Sequence, residues 1–162
     1  MPVRPEREML EREVTRSEYA DFVVKVEPRI RHALIGSYGP EIARDATADA
    51  LVYGWEHWDR LAAMDNPAGY LYRVAQTWAR RSSKSIPTFP PVVQEEMPWI
   101  EPGLPAALAH LSERQRAAVW TIHGLGWQAR EVAELIGISV ETVRTHARRG
   151  MEKLRRELGG EV

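Results

Sequence analysis

The chain has 162 residues, no cysteine, and 22 Lys and Arg against 23 Asp and Glu, for a net charge of −1. That length suits one ordinary domain or two small ones, and a hydrophobic share of 44% supports a packed core rather than wholesale disorder. The lack of cysteine excludes disulfides and thiolate metal sites and fits a reducing cytoplasm, the expected location. No apolar run approaches the roughly 20 residues that span a bilayer, and the charged first residues lack the apolar stretch of a signal peptide, so no membrane insertion is expected.

The charge is unevenly placed. Residues 144–156 hold six basic side chains and one acid, Glu152, and residues 73–84 hold four basic side chains and no acid. Acids gather instead near the N-terminus and at Asp45, Asp49, Glu56 and Asp59. Two local basic patches on a near-neutral chain predict two separate contacts with nucleic acid.

Strand signals are nearly absent, so the pattern predicts an all-α fold. Residues 1–16 read as an N-terminal extension. Thr15 and Glu18 have capping-box spacing, which predicts a first helix from Thr15 through Phe22, Val26, Ile30 and Leu34, bent at Pro28. Gly36 to Pro40 breaks it, and a second helix is predicted from Glu41 to Ala63. Asn66-Pro67 reads as an N-cap followed by proline at the first helical position, opening a helix with Tyr70, Leu71, Val74, Ala75 and Trp78. Trp55, Trp58 and Trp120 read as core anchors, and Trp127 as a cap on the second core.

Between Ser85 and Pro105 stand six prolines, which predicts an extended linker over residues 86–104 between domains at 17–85 and 105–162. Ser112 with Gln115 marks another capping box. Gly124 and Gly126 separate that helix from one around Gln128–Ile136. Gly137-Ile138-Ser139 then reads as a turn, with Gly137 ending one helix left-handed and Ser139 capping the next. Val140, Val143, Ala147, Met151 and Leu154 form one apolar stripe. Ser139, Glu141, Thr142, Arg144, Thr145, Arg148 and Arg149 lie at the helix start or off the stripe. A helix with one face packed and the other carrying Arg and Thr suits the DNA major groove, where Arg reads guanine and Thr meets a thymine methyl or a phosphate. In the first domain Tyr70, Tyr72, Trp78, Arg73, Arg80 and Arg81 supply the stacking rings and cations that hold unpaired bases.

These features in this order resemble a bacterial RNA polymerase sigma factor of the extracytoplasmic-function group, which keeps only the region-two and region-four domains. The resemblance covers about residues 17–158. It rests on LSERQRAAVW and EVAELIGISVETVRTHARRGMEKLRREL in the second domain. In the first it rests on Asp45 followed at Trp55 and on NPAGYLYRVAQTWARR. Ala48, Thr77 and His146-Ala147 depart from the residues usual in the group.

The resemblance implies core RNA polymerase and promoter DNA as partners. The face of Asp45, Ala48, Asp49 and Val52 would dock on polymerase. The loop Arg60–Gly69 would capture a flipped base of the minus-ten element, with Tyr70, Arg73, Trp78, Arg80 and Arg81 against that element. The second domain would read the minus-thirty-five element. An anti-sigma factor is a further partner known in the group.

No catalytic residues, cofactor or metal site are expected: there is no nucleophile–base set, phosphate loop or ligand spacing among the histidines. Two other readings fit the sequence. TVRTHARR also resembles helix-turn-helix regulators that act without polymerase core. A sigma-like adaptor that does not open promoters is the other.

Overall fold

The computed structural model describes residues 5–83 and 103–159. Seven α-helices and one π-helical turn make up the architecture, with no strand among the described residues. The fold is all-α, as expected.

Helix α1 (Pro5–Glu56) runs over the predicted break and holds it as a local event. Gly39 alone leaves helical geometry, at φ 80° and ψ 167°, a backbone conformation in which glycine avoids the clash a Cβ would bring. The chain therefore turns between residues 5–38 and 40–56. Pro28 and Pro40 both lie within the helical span.

The predicted start at Thr15 is corrected. The helix is already formed from Pro5, and Thr15 Oγ1 donates back to the Glu11 carbonyl rather than capping a terminus. The predicted end at Ala63 also shifts. His57 interrupts the helix, and α2 (Trp58–Ala62) follows as a single short turn of helix.

Helix α3 (Pro67–Ser82) starts where the sequence placed it. Asn66 Oδ1 accepts from the Gly69 amide at 2.9 Å, and Pro67 fills the first turn. Proline fits there because its missing N–H is one the helix leaves unpaired anyway. Its apolar face (Leu71, Ala75 and Ala79, with Tyr72) packs on Ile30, Leu34, Ala43, Ala50, Trp58 and Leu61 to make the first core. Trp58 is buried as expected. Trp55 is not: it is 44% exposed, because position 55 lies opposite the face that carries Gly54 and Ala50 inward.

Helix α4 (Leu104–Ala109) and α5 (Glu113–Val119) follow. The Ser112 box forms in both directions, Ser112 Oγ accepting from the Gln115 amide and Gln115 Oε1 from the Ser112 amide. Arg116 is buried, yet its guanidinium donates to the Leu108 and Leu111 carbonyls, both at 3.0 Å. Those carbonyls at the end of α4 are thereby satisfied by a charged donor, which is what makes burying it tolerable. A π-helical turn (Trp120–Gly124) leads to α6 (Ala129–Ile136) and α7 (Val140–Gly159). The predicted linker lies outside the described residues, apart from Gly103 and Leu104.

The two halves are packed together. Leu135 of α6, 1% exposed, belongs to the first domain's core cluster. Trp120 Nε1 donates to the His32 carbonyl at 2.8 Å, and its ring leaves no clearance over Gly36, where an added Cβ would lie 2.5 Å from it. Trp127 touches both the first core and the helix-turn-helix core and lies under the Arg29 guanidinium, 5.8 Å from its ring centre.

Candidate nucleic-acid interface

The helix-turn-helix is built as its residues dictate. Gly137 ends α6 in the left-handed region at φ 78°. Ser139 Oγ accepts from the Thr142 amide at 3.0 Å, so it starts α7. Val143, Ala147 and Leu154 are buried beneath α7, with Val132 and Ala133 of α6 under its first turns. Glu141, Arg144, Arg148 and Arg149 are exposed, while Thr142 and Thr145 are half-buried.

Two of the cations are engaged locally, Arg148 with Glu152 at 2.8 Å and Arg144 with Glu141 at 3.9 Å. The Ser139 and Thr142 hydroxyls lie 2.7 Å apart, one donating to the other, so capping occupies both. His146 sits beside this face. Burial first, then the cations of Arg114 and Arg149, push its pKa below the usual histidine value. That favours the neutral ring.

The first domain carries a second polar surface at the start of α3. Tyr53 and Tyr70 hydroxyls are 3.2 Å apart, and Arg60 donates to both, at 2.8 and 3.1 Å. His57 stacks on Tyr53 with ring centres 4.1 Å apart, and the Arg60 guanidinium lies over the Tyr70 ring. Rings and a cation held in one half-exposed cluster form a platform on which a planar base can stack. The stretch Arg60–Gly69 opens with the last turn of α2, beside Tyr53 of α1 and His57, which precedes α2. Sequence reasoning did not single out those two, because they lie a helix turn apart and meet Tyr70 and Arg60 only through the fold.

Along α3, Arg73, Gln76 and Arg80 follow one another at three- and four-residue spacing and share a face. That face meets the second domain. Arg80 donates to both carboxylate oxygens of Glu113, at 3.1–3.3 Å, and Gln76 Nε2 donates to the same group at 3.2 Å. Tyr38 donates to it as well. Glu113, by these hydrogen bonds, holds the Arg80 guanidinium above its ordinary pKa. Burial first, and then Glu113, push up the Tyr38 hydroxyl. Arg73 reaches the turn itself, its Nη1 lying 3.3 Å from where a Gly137 Cβ would stand. Asn66 donates to the Glu134 carbonyl at 2.5 Å.

Trp78 packs half-buried against the first core, and Arg81 is exposed at the end of α3. Asp45, Ala48, Asp49 and Val52 share one exposed face of α1, at three- and four-residue spacing. No group of three or more metal-binding side chains exists among the described residues, and no described helix is long and apolar enough to cross a membrane.

Residues 103–154 match the family model for sigma-70 region 4. That stretch spans α4 to most of α7, and so takes in the helix-turn-helix. A similar solved structure is the sigma factor RpoE of Bartonella quintana in complex with the anti-sigma factor NepR. That structure shares 18% identity and a TM-score of 0.56 with this chain, over 90% of this chain and 99% of its own. Over that share the chain has a sigma-factor-like fold. No curated protein matches the sequence. The region 4 match and the sigma-factor-like fold agree with the resemblance drawn from the sequence.

Proposed function

We propose that the chain binds core RNA polymerase and directs it to promoters. Region four reads the upstream, minus-thirty-five element through α7, and the first domain holds the minus-ten element through α3 and the Tyr53–Arg60–Tyr70 cluster. The observation that carries this reading is the pairing of a region 4 domain with a second, aromatic and cationic surface on the sigma-like first domain. Arg144, Thr145, Arg148 and Arg149 are the reading side chains on α7, with Ser139, Glu141 and Thr142 at its start. Tyr70, Arg73, Trp78, Arg80 and Arg81 serve the downstream element. Asp45, Ala48, Asp49 and Val52 meet polymerase, where the two carboxylates attract a basic partner surface.

A net charge of −1 gives the free chain little long-range attraction to phosphate. Core polymerase fixes the two domains at the spacing of the two elements, so two weak contacts act at high effective concentration. The similar RpoE structure was solved with an anti-sigma factor, and a partner of that kind fits this chain too. Acting on bacterial polymerase, the protein would work in the cytoplasm.

The test is association of the purified chain with bacterial core polymerase, read by sedimentation or fluorescence anisotropy. Stoichiometric, submicromolar binding is expected. A folded protein that ignores core and binds duplex DNA alone would replace this reading with a stand-alone helix-turn-helix regulator.

A further inference from the structure

Three donors converge on a single carboxylate where the two domains meet. Arg80 offers Nε and Nη2, Gln76 its amide nitrogen and Tyr38 its hydroxyl, all to Glu113. The donors stand on two helices of the first domain that share one core, while the acceptor comes from the second domain. Tyr38 is 8% exposed and aims its hydroxyl outward from that core. A forked guanidinium with flanking neutral donors takes a phosphate as readily as a carboxylate, since both present two coplanar, charged acceptor oxygens.

We propose that Tyr38, Gln76 and Arg80 form a binding site for a backbone phosphate of DNA, and that Glu113 fills it as an internal substitute while the two domains are closed. This rests on the function proposed above and adds to it both the phosphate site and the way it is kept shut. The site continues a ridge, because Arg73 lies one turn earlier on the same face and is itself turned toward Gly137. DNA cannot take the place of Glu113 on these donors until region four moves away. The substitute is tethered, so it competes at high effective concentration against DNA, and the chain stays off DNA until another contact separates the domains.

Two variants open the closed form by different routes. Glu113→Gln removes the charge and keeps the shape. Gly36→Ala leaves all four polar partners in place but drives a Cβ to within 2.5 Å of Trp120. The full chain carries dyes on cysteines introduced at Val24 and Arg130, both exposed, and energy transfer reports the domain separation. Binding of a duplex oligonucleotide is measured in parallel, with circular dichroism as the check on folding.

Glu113→Gln is expected to lower energy transfer and to tighten duplex binding by about tenfold, the order expected when a multiply hydrogen-bonded charged acceptor is neutralised. Adding Tyr38→Phe, Gln76→Ala or Arg80→Ala should then remove most of that gain. Gly36→Ala should reproduce the gain with Glu113 intact. Unchanged energy transfer and binding in both variants overturns the proposal. So does opening without tighter binding, or a gain that survives loss of the three donors. None of these readouts contains polymerase: failure to bind core counts against the proposed function, and failure here leaves it standing.

Discussion

Arg148 and Arg149 are neighbours on α7 with different company. Arg148 is held by Glu152, whereas Arg149 has no ion pair among the described residues. A cation already paired must give up that partner to reach DNA, so Arg149 is the cheaper reader. Arg149→Ala is expected to weaken binding of the polymerase complex to its upstream element by roughly 1–3 kcal/mol, the worth of one base contact. Arg148→Ala should cost less, and a footprint unchanged by Arg149→Ala would remove that residue from the interface. A second residue-level consequence lies behind the helix. Gly150 lets α7 approach α5 so closely that an added Cβ would sit 2.6 Å from Val119 Cγ2. Gly150→Ala should cost about 1–3 kcal/mol of stability through overpacking, visible as a lower urea midpoint; an unmoved midpoint would mean that α5 yields freely.

At the level of elements, the sequence was most legible where the signal is local. Gly137 and Ser139, Asn66 and Pro67, and Ser112 with Gln115 each act within four residues, and all three helix starts are where that chemistry puts them. The start of α1 was not legible. Thr15 and Glu18 have capping spacing, but Glu6 to Glu13, all good helix formers, precede Thr15, and propensity extended the helix through them. Trp55 misled for a different reason: an indole signals burial by type, while its position on α1 faces out. Helix α1 also carries the exposed Asp45–Val52 face. Asp49→Arg should impair core association while leaving the melting temperature within a degree or two, because an exposed carboxylate without an ion pair contributes little to folding. Unchanged affinity for core would take this face out of the interface.

Across the whole molecule, the contact between the N-terminal and C-terminal halves was not legible. Glu113 lies 33 residues beyond Arg80 in the chain, and no periodicity links them. Leu135 reads as an ordinary core residue of the helix-turn-helix, yet it is seated in the first domain's core. Leu135→Ala is therefore expected to cost about 2–5 kcal/mol, the range for truncating a buried leucine, and to destabilise both halves together. Unfolding followed by circular dichroism should stay a single transition in the wild-type protein, and two separated transitions would show the halves to be independent. The indole of Trp120 has a further consequence. It is pressed on Gly36, and its N–H is held by the His32 carbonyl across the domain boundary. Parting of the domains exchanges that carbonyl for water, so the emission of this one ring must shift to the red. Subtracting the spectrum of a Trp120→Phe protein isolates it from the other five tryptophans of the six in the chain. The protein thus contains an optical gauge of its own opening, readable during a mixing experiment with no label attached.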